Sequence, residues 1–126
     1  MNKPESRRAV IPASNGIMTA RAVARHYAAL IPGGVDEVEL LPSARVQTIL
    51  APQPPKIQEE EGEGFFLGYL KFGAAFGHPG YGGSIGMANP AEGWAFAFTR
   101  NRFSEYNSSQ LILDEIKTSL ISDSMG

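Results

Sequence analysis

This sequence contains no cysteine, and its two histidines, His26 and His78, lie far apart in the chain. The absence of cysteine excludes a disulfide framework and any metal site built on thiolates. Two well-separated histidines do not indicate a metal centre by themselves. We therefore expect neither a bound metal nor another cofactor.

Long apolar runs and concentrated positive charge are also missing. The longest apolar runs are far shorter than a bilayer span, and the first eight residues lack the apolar core of a signal peptide. The net charge is −2 and the eleven Lys and Arg are spread along the chain, whereas a nucleic-acid surface needs clustered basic residues. The sequence therefore predicts a soluble protein without a nucleic-acid or membrane partner, and it does not indicate a compartment.

The length and the proline and glycine breaks outline the first half of the chain. With 126 residues the chain can build one domain, or a piece of one, but not two ordinary domains. Residues 1–18 are broken by proline and glycine, which favours extended or loop structure. Thr19 is a candidate N-cap for a helix over Ala20–Ile31, where apolar residues recur at helical spacing. Pro42-Ser43 is a candidate cap for a second short helix through Leu50, which the following prolines end.

Two groups of charged residues invite a functional interpretation. Arg21 and Arg25 lie one turn apart on the first predicted helix, and four glutamates fall within residues 59–63. Two arginines on the wet side of an amphipathic helix usually form a solvated face rather than an anion site. Consecutive glutamates lack the alternating ligand geometry of a calcium loop. We interpret the arginines as surface residues and residues 56–64 as a solvated acidic loop.

From Phe65 onward, short apolar runs punctuated by glycine indicate β-strands. Strands are predicted over Phe65–Phe72, with a bulge or a close contact at Gly68, then over Ala74–Tyr81, continued by Gly83–Ala88, and finally over Trp94–Asn101. Aromatic and small residues alternate in the last strand, and small residues suit the close approach of a covering helix. We expect that helix to be Ser109–Ile121, followed by a frayed tail. The predicted class is α+β: two helices, an antiparallel β-meander and a C-terminal helix across it.

The most informative stretch of the sequence is rich in glycine and lies between two apolar runs. It reads Phe76-Gly77-His78-Pro79-Gly80-Tyr81-Gly82-Gly83-Ser84-Ile85-Gly86. Glycine lets the backbone approach a ligand closely or adopt positive φ, and His78 is the one group here that titrates near neutral pH. We interpret the stretch as a strand that enters a site, exposes amide N–H groups and continues as strand. The alternative is a strand-terminal histidine hydrogen-bonded to a neighbour, which the flanking glycines make less favoured.

The residues in and around this stretch resemble the C-terminal part of the serine β-lactamase-like family. That family includes class C β-lactamases, penicillin-binding-type peptidases and related esterases. In many members the third active-site motif, Lys-Thr-Gly in the best-known enzymes, is written His-x-Gly, and His78-Pro79-Gly80 matches it. Four segments carry the resemblance: 77–84, Asn89-Pro90-Ala91-Glu92-Gly93, 96–102, and Ile11-Pro12-Ala13-Ser14-Asn15-Gly16-Ile17-Met18-Thr19-Ala20-Arg21-Ala22-Val23-Ala24-Arg25.

The resemblance implies roles for individual residues of the glycine-rich stretch. His78 takes the position of the family's lysine, where it polarises the site or positions the substrate. The backbone N–H of Tyr81, directly after the motif, is the expected oxyanion donor, because preorganised amides stabilise the charge that develops during acyl transfer. Gly80 leaves room for the substrate, and Gly82 and Gly83 complete the substrate-binding set. No metal takes part.

The resemblance also implies a single partial domain: the C-terminal portion of a β-lactamase/transpeptidase-like fold. Its parts are a helical segment over 1–55, the acidic loop over 56–64, and strands with a helix over 65–126. In the family, N-terminal strands and helices join this sheet, so the isolated chain is expected to leave a sheet edge and an apolar face uncovered. We expect it to be marginally stable or to self-associate.

The sequence departs from the family in its other motifs. The family's nucleophile and base lie in a Ser-x-x-Lys motif and its second motif is typically Tyr-x-Asn, yet no serine here has lysine three positions later and no tyrosine has asparagine two positions later. Because a nucleophile must be activated by an adjacent base, we expect the chain alone to be inactive. The favoured interpretation is a C-terminal fragment of a serine hydrolase that performs acyl transfer on an ester or amide.

The expected partners of this fragment are the remainder of a larger hydrolase-like chain or a second copy of the fragment. A small acyl substrate is expected to bind only in the intact protein. Two alternatives stay open: a non-catalytic binding or interaction module, and a small enzyme that uses His78 with Glu92 or Asp114.

Overall fold

A computed structural model describes residues 3–12, 16–51, 65–102 and 108–124. Within these ranges the chain forms helices and one antiparallel sheet, which confirms the predicted α+β class. The predicted acidic loop over 56–64 lies outside the described residues. The helices are α1 (Pro4–Arg8), α2 (Ala20–Ala28), α3 (Ser43–Leu50) and α4 (Ser108–Ser124), and the strands are β1 (Phe65–Phe66), β2 (Tyr69–Phe72), β3 (Ala75–Pro79), β4 (Ile85–Asn89) and β5 (Trp94–Phe98).

The sheet is a meander in which each strand pairs with the next one in the sequence, in the order β1-β2-β3-β4-β5. Every described pair is antiparallel. In the centre of the sheet, Gly77 pairs with Leu70 on one side and with Met87 on the other. This register brings β3, the strand with the predicted motif, to the middle of the sheet.

The first predicted strand, Phe65–Phe72, is wrong as a single element. The chain reverses at Leu67 and Gly68, whose φ angles are 52° and 93°, and β1 pairs back on β2. Two consecutive residues at positive φ are the geometry of a tight two-residue hairpin. The predicted bulge at Gly68 is therefore a turn.

The prediction that Gly83–Ala88 continues the preceding strand is also wrong. The chain reverses after Pro79, and β4 returns antiparallel to β3. The turn is closed by the Gly80 N–H, which donates to the Ser84 carbonyl at 2.6 Å. Gly82 and Gly83 have φ of 93° and 95°, a region that residues with a Cβ rarely adopt. The glycines thus reverse the chain where an extended strand was expected.

The helices agree with the sequence in their starts more than in their ends. Thr19 caps α2, since its hydroxyl accepts a hydrogen bond from the Ala22 N–H at 3.2 Å. The second predicted helix ends at Leu50, as α3 does, and Pro42 of its predicted cap is the N-cap of α3. Helix α2 ends at Ala28, three residues before the predicted end, and α4 extends to Ser124 through part of the predicted tail. Residues 4–8, expected to be extended or loop, form the short helix α1.

The sheet packs helices on both sides, and the two sides differ. We call the side covered by α2 and α3 the α2 face and the side covered by α4 the α4 face. The core of the α2 face consists of Tyr27, Leu30, Val46, Ile49, Phe76 and Ala88. The core of the α4 face consists of Ala75, Met87 and Leu113, with Ile85, Trp94 and Phe96 partly buried against it.

The small residues of the last strand face α2 rather than the C-terminal helix, which corrects the prediction. Ala95 packs against the core of the α2 face. Gly86, on β4, lies so close to α2 that a Cβ there would stand 2.4 Å from Cε2 of Tyr27. The aromatic Trp94 and Phe96 point to Leu113 of α4 instead. Small side chains do permit close helix packing here, but the helix that uses them is α2.

Candidate functional site

The predicted motif lies where β3 leaves the core and reaches the surface. We call β3, β4 and the turn between them, residues 75–89, the motif hairpin. Ala75, Phe76 and Gly77 are buried, whereas His78 and Pro79 are exposed. The next residues form the turn, in which the Tyr81 side chain is 95% exposed. The motif therefore stands at the surface end of a strand that is anchored in the core.

The His78 imidazole is oriented by its own neighbour in the chain. Its Nδ1 lies 2.6 Å from the Pro79 carbonyl oxygen. Because a carbonyl only accepts hydrogen bonds, Nδ1 must carry the proton, and in the neutral ring Nε2 then holds the lone pair. His78 can thus accept a proton or a hydrogen bond through Nε2.

Strand β2 pairs with only part of one edge of β3. The pairs between β2 and β3 end at Leu70 and Gly77, although β2 begins one residue earlier, at Tyr69. On the other side the ladder with β4 continues through Pro79. Among the described residues, the part of β3 from His78 onward therefore has a strand neighbour on one side. Such a strand edge is suited to an extended ligand.

The turn that follows the motif is held by its own hydrogen bonds and by an arginine that the sequence analysis did not single out. The Gly83 N–H donates to the Gly80 carbonyl at 3.2 Å. The Arg100 N–H donates to the Ser84 hydroxyl at 3.3 Å, and a Cβ on Gly83 would stand 2.8 Å from Nη1 of Arg100. The signal for Arg100 was its position at the end of the predicted last strand, two residues after β5 ends, but which turn it would meet depends on the register of β4 with β5.

Tyr27 of α2 lies beneath the motif hairpin on the α2 face. It is 7% exposed and its ring meets the ring of Tyr69 edge-on at 6.2 Å. Burial, with a smaller contribution from Tyr69, raises the pKa of Tyr27 to about 12, while a hydrogen bond with the backbone of His78 acts in the opposite direction. Burial also raises the pKa of Tyr69. The helical spacing predicted Tyr27 only as an apolar-side residue, because nothing local marks its partner 51 positions away.

A groove of about 230 Å³ lies on the opposite side of the hairpin, between β4 and the first turns of α4. Its walls include Pro79, Ser84, Met87, Ser109 and Leu113. His78 pairs with Gly86, whose missing side chain points to α2, and side chains alternate between the two faces of a sheet. The groove and the His78 side chain are therefore on different faces.

The structure brings some of the predicted residues together and separates others. Gly80, Tyr81, Gly82 and Gly83 form one turn directly after His78. Glu92 lies in the turn beyond the far end of β4, where its carboxylate accepts a hydrogen bond from the Trp94 indole N–H at 2.6 Å. His78 pairs with Gly86, whereas Glu92 lies beyond Asn89, the last residue of β4. The two residues are therefore separated along the strand by on the order of 10 Å.

The carboxylate of Asp114, on α4, accepts from the Gln110 side-chain amide at 2.7 Å. The described structure thus does not pair His78 with Glu92 or Asp114. In the described part of the chain, no group of three or more His, Asp or Glu is arranged to hold a metal ion.

The similarity to known proteins identifies the family of the chain. A family model described as Beta-lactamase matches residues 1–117, so the chain belongs to the Beta-lactamase family. A curated relative from Mycobacterium tuberculosis, named Esterase/beta-lactamase LipL, is 40% identical over 104 residues, which cover 75% of this chain and 24% of the relative. The chain thus spans about a quarter of the length of that relative. No solved structure matches the chain significantly.

The described helices fall short of what a membrane span requires. None of them, in the ranges that the structure covers, is long and apolar enough to cross a bilayer.

Proposed function

We propose that these residues are the C-terminal part of a serine β-lactamase-related hydrolase and supply the third motif and the oxyanion donor of its acyl-transfer site. One observation carries the proposal. The His-x-Gly motif stands at the exposed end of a strand rooted in the core, and it is followed at once by a tight turn beside an incompletely covered strand edge. Family membership supports the same reading.

The proposed chemistry assigns one task to each residue of the turn. When a nucleophile attacks an ester or amide carbonyl, the carbonyl oxygen gains negative charge, and a preorganised N–H lowers the energy of that state. The backbone N–H of Tyr81 has this task. Gly80 has no side chain that would obstruct the carbonyl, and Gly82 and Gly83 allow the turn to approach the substrate closely.

His78 has a positioning and polarising task in this proposal. Its Nδ1–H is engaged by the Pro79 carbonyl, so Nε2 is the nitrogen through which it would meet the substrate or the attacking residue. The motif hairpin carries no nucleophile for this chemistry, because no Ser-x-x-Lys occurs in the sequence. The nucleophile is therefore assigned to the remainder of a larger chain, the proposed partner.

Exposed apolar residues on α4 support a partner segment. Leu111, Ile112 and Ile116 are 69%, 40% and 42% exposed, although Leu113 on the same helix is buried. Covering such residues removes apolar surface from water and is favourable. Without the remaining segment, we expect the isolated chain to be marginally stable or to self-associate.

The proposal can be tested by transplanting the chain into its relative. The matching segment of Esterase/beta-lactamase LipL is replaced by the corresponding residues of this chain, and hydrolysis of a p-nitrophenyl ester and of a chromogenic β-lactam is measured. These substrates follow the two activities in the relative's name. We expect the chimera to hydrolyse at least one of them. The isolated chain should not react with a fluorophosphonate probe, because it lacks an activated serine.

Matched histidine substitutions make the test specific. In the chimera, His78→Ala should lower kcat by roughly a hundredfold or more, the usual size of a lost catalytic proton-transfer or electrostatic contribution. His26→Ala removes the other histidine, which lies exposed on α2, and should leave kcat unchanged. Equal activity of both variants, or labelling of the isolated chain, would contradict the proposal. A folded chimera that binds but hydrolyses neither substrate would favour a non-catalytic binding module.

A further inference from the structure

Tyr27 is seated directly on the pair of residues that joins the motif strand to its neighbour. In the β3–β4 ladder, His78 pairs with Gly86. A Cβ on Gly86 would stand 2.4 Å from Cε2 and 2.9 Å from Cδ2 of Tyr27. Since those distances are far below a van der Waals contact, the tyrosine ring fills the space where a side chain of Gly86 would be. The missing side chain is thus what allows the ring to reach the ladder.

The hydroxyl of Tyr27 extends the same contact to the motif itself. It makes a hydrogen bond with the backbone of His78 that lowers the pKa of the phenol against the effect of burial. Ring and hydroxyl together bind both strands of the motif hairpin at one level.

The side chain that makes these contacts is itself held firmly. Tyr27 is 7% exposed, and its ring lies 6.4 Å from the fully buried ring of Phe76, two residues before His78. Val23, one turn earlier on α2, also lies against Gly86. Helix α2 therefore contacts the hairpin through packed side chains, Tyr27 and Val23, rather than through an exposed surface side chain.

We propose that Tyr27 is a positioning residue for the motif hairpin: its ring on Gly86 and its hydroxyl on the His78 backbone set where Gly80 and Tyr81 leave the sheet. Tyr27 touches neither substrate nor nucleophile in this proposal. Its effect on catalysis, which rests on the function proposed above, passes through the backbone of β3. A small displacement of an oxyanion donor is costly, because stabilisation of developing charge depends on donor placement.

The first test measures amide hydrogen exchange by NMR in the 126-residue chain, residue by residue. Tyr27→Phe keeps the ring and removes the contact of the hydroxyl with the His78 backbone, so the amides of His78 and Gly86, which pair in the β3–β4 ladder, should exchange roughly two- to tenfold faster than in the unsubstituted chain. Tyr69→Phe removes the hydroxyl of the neighbouring tyrosine in the same aromatic cluster and serves as the matched control. It should change exchange at His78 less than about twofold.

A second variant approaches the contact from the opposite side. Gly86→Ala introduces the Cβ that would meet the Tyr27 ring, so resonances of His78 and Tyr81 should shift more than those of β5. In the unsubstituted chain, the ring protons of Tyr27 should show nuclear Overhauser contacts to the α-protons of Gly86. This measurement needs no variant and therefore decides the matter even if a substituted chain does not fold.

The outcomes separate this proposal from the proposed function. Equal exchange at His78 in Tyr27→Phe and Tyr69→Phe, or missing contacts between Tyr27 and Gly86, overturns the positioning role whatever the chimera does. A selective effect at His78 supports it even if the chimera is inactive, in which case the proposed function fails alone. In an active chimera, Tyr27→Phe should lower kcat severalfold and leave KM unchanged, whereas Tyr69→Phe should change neither.

Discussion

The α2 face of the sheet is packed more tightly than the α4 face. On the α2 face, Phe76 and Val46 are 0% and 1% exposed, and two helices cover strands made of small residues. On the α4 face, a single helix contributes Leu113, and a groove of about 230 Å³ remains beside it. The motif hairpin therefore packs closely against α2, whereas α4 covers the other face and leaves a groove there.

The choice of side chains on the two faces explains this contrast. Glycine and alanine at positions 86, 88 and 95 let α2 come within contact of the backbone. On the α4 face the same strands carry Met87, Trp94 and Phe96, which keep the helix at a distance. Close packing gives many short contacts per residue, and large side chains around one leucine give fewer. The predictions below test whether this contrast is energetic as well as geometric.

The largest effect is expected at the centre of the α2 face. Phe76→Ala should destabilise the chain by about 4–5 kcal/mol, because it opens a cavity under the motif strand in a region without room to collapse. Urea denaturation followed by circular dichroism would measure the change. A loss below about 2 kcal/mol would show that the α2 face is packed no better than the α4 face.

A matched pair of leucines compares the faces directly. Leu30 and Leu113 are 2% and 5% exposed, but only Leu113 borders the groove. Leu30→Ala should cost about 3–4 kcal/mol and Leu113→Ala about 2 kcal/mol, since a side chain beside a groove loses fewer contacts. The difference in urea midpoints is the measurement. Equal costs would remove the contrast.

Adding a side chain at Gly86, against the Tyr27 ring, should have a smaller effect on stability. Gly86→Ala is expected to cost about 1–3 kcal/mol, the usual range for overpacking. Gly93→Ala is the control, because Gly93 has φ of 71° and nothing within 4 Å of its added Cβ. That control should cost on the order of 1 kcal/mol, from backbone strain alone. Thermal unfolding of both variants would rank them, and a larger loss for Gly93→Ala would argue against the tight α2 face.

Alkaline pH should weaken the α2 face through Tyr27. Its folded pKa is raised to about 12 from an ordinary value of 10.0, so the stabilising contribution is complete below pH 10 and is lost as the pH rises toward 12. At pH 11 the loss is on the order of 1 kcal/mol. Urea midpoints at pH 9 and pH 11 would show it. Tyr27→Phe should flatten this dependence, and an unchanged slope would assign it to other groups.

The smallest effect is expected on the α4 face. The Lys117 ammonium lies 4.8 Å from the centre of the Trp94 ring, and a half-buried pair of this kind contributes about 1 kcal/mol. Lys117→Met keeps the aliphatic stem and removes the charge. We expect a melting temperature lower by a few degrees at most. A loss above 2 kcal/mol would mean that α4 is held more firmly than its packing indicates.

Local patterns in the sequence predicted the elements but not how they meet. The Thr19 cap, the end of α3 at Leu50 and the alternation in β5 depend on neighbouring residues, and all three are confirmed. The reversal after Pro79 was missed because glycines permit both an extended strand and a turn. Which helix covers the small residues of β5 depends on chain packing over long distances, and local periodicity carries no information about it.

The candidate site shows the same division. The motif residues His78 and Gly80 could be found from the sequence because they are contiguous and follow a family pattern, and their roles stay predictions. Tyr27 and Arg100 reach the hairpin from distant positions, through the α2 face and through the register of β5. No single stretch contains both partners of either contact, so these two residues became visible only with the fold.

The end of β3 has a consequence for how the protein behaves in a crowded solution. Beyond Gly77 the strand has no β2 neighbour, and such an edge could recruit strands from other molecules. The last residue of β3 is a proline, which has no amide hydrogen, so an intruding strand would meet an interrupted row of donors. The proline of the motif thus disfavours the addition of a further strand at this edge of the described sheet.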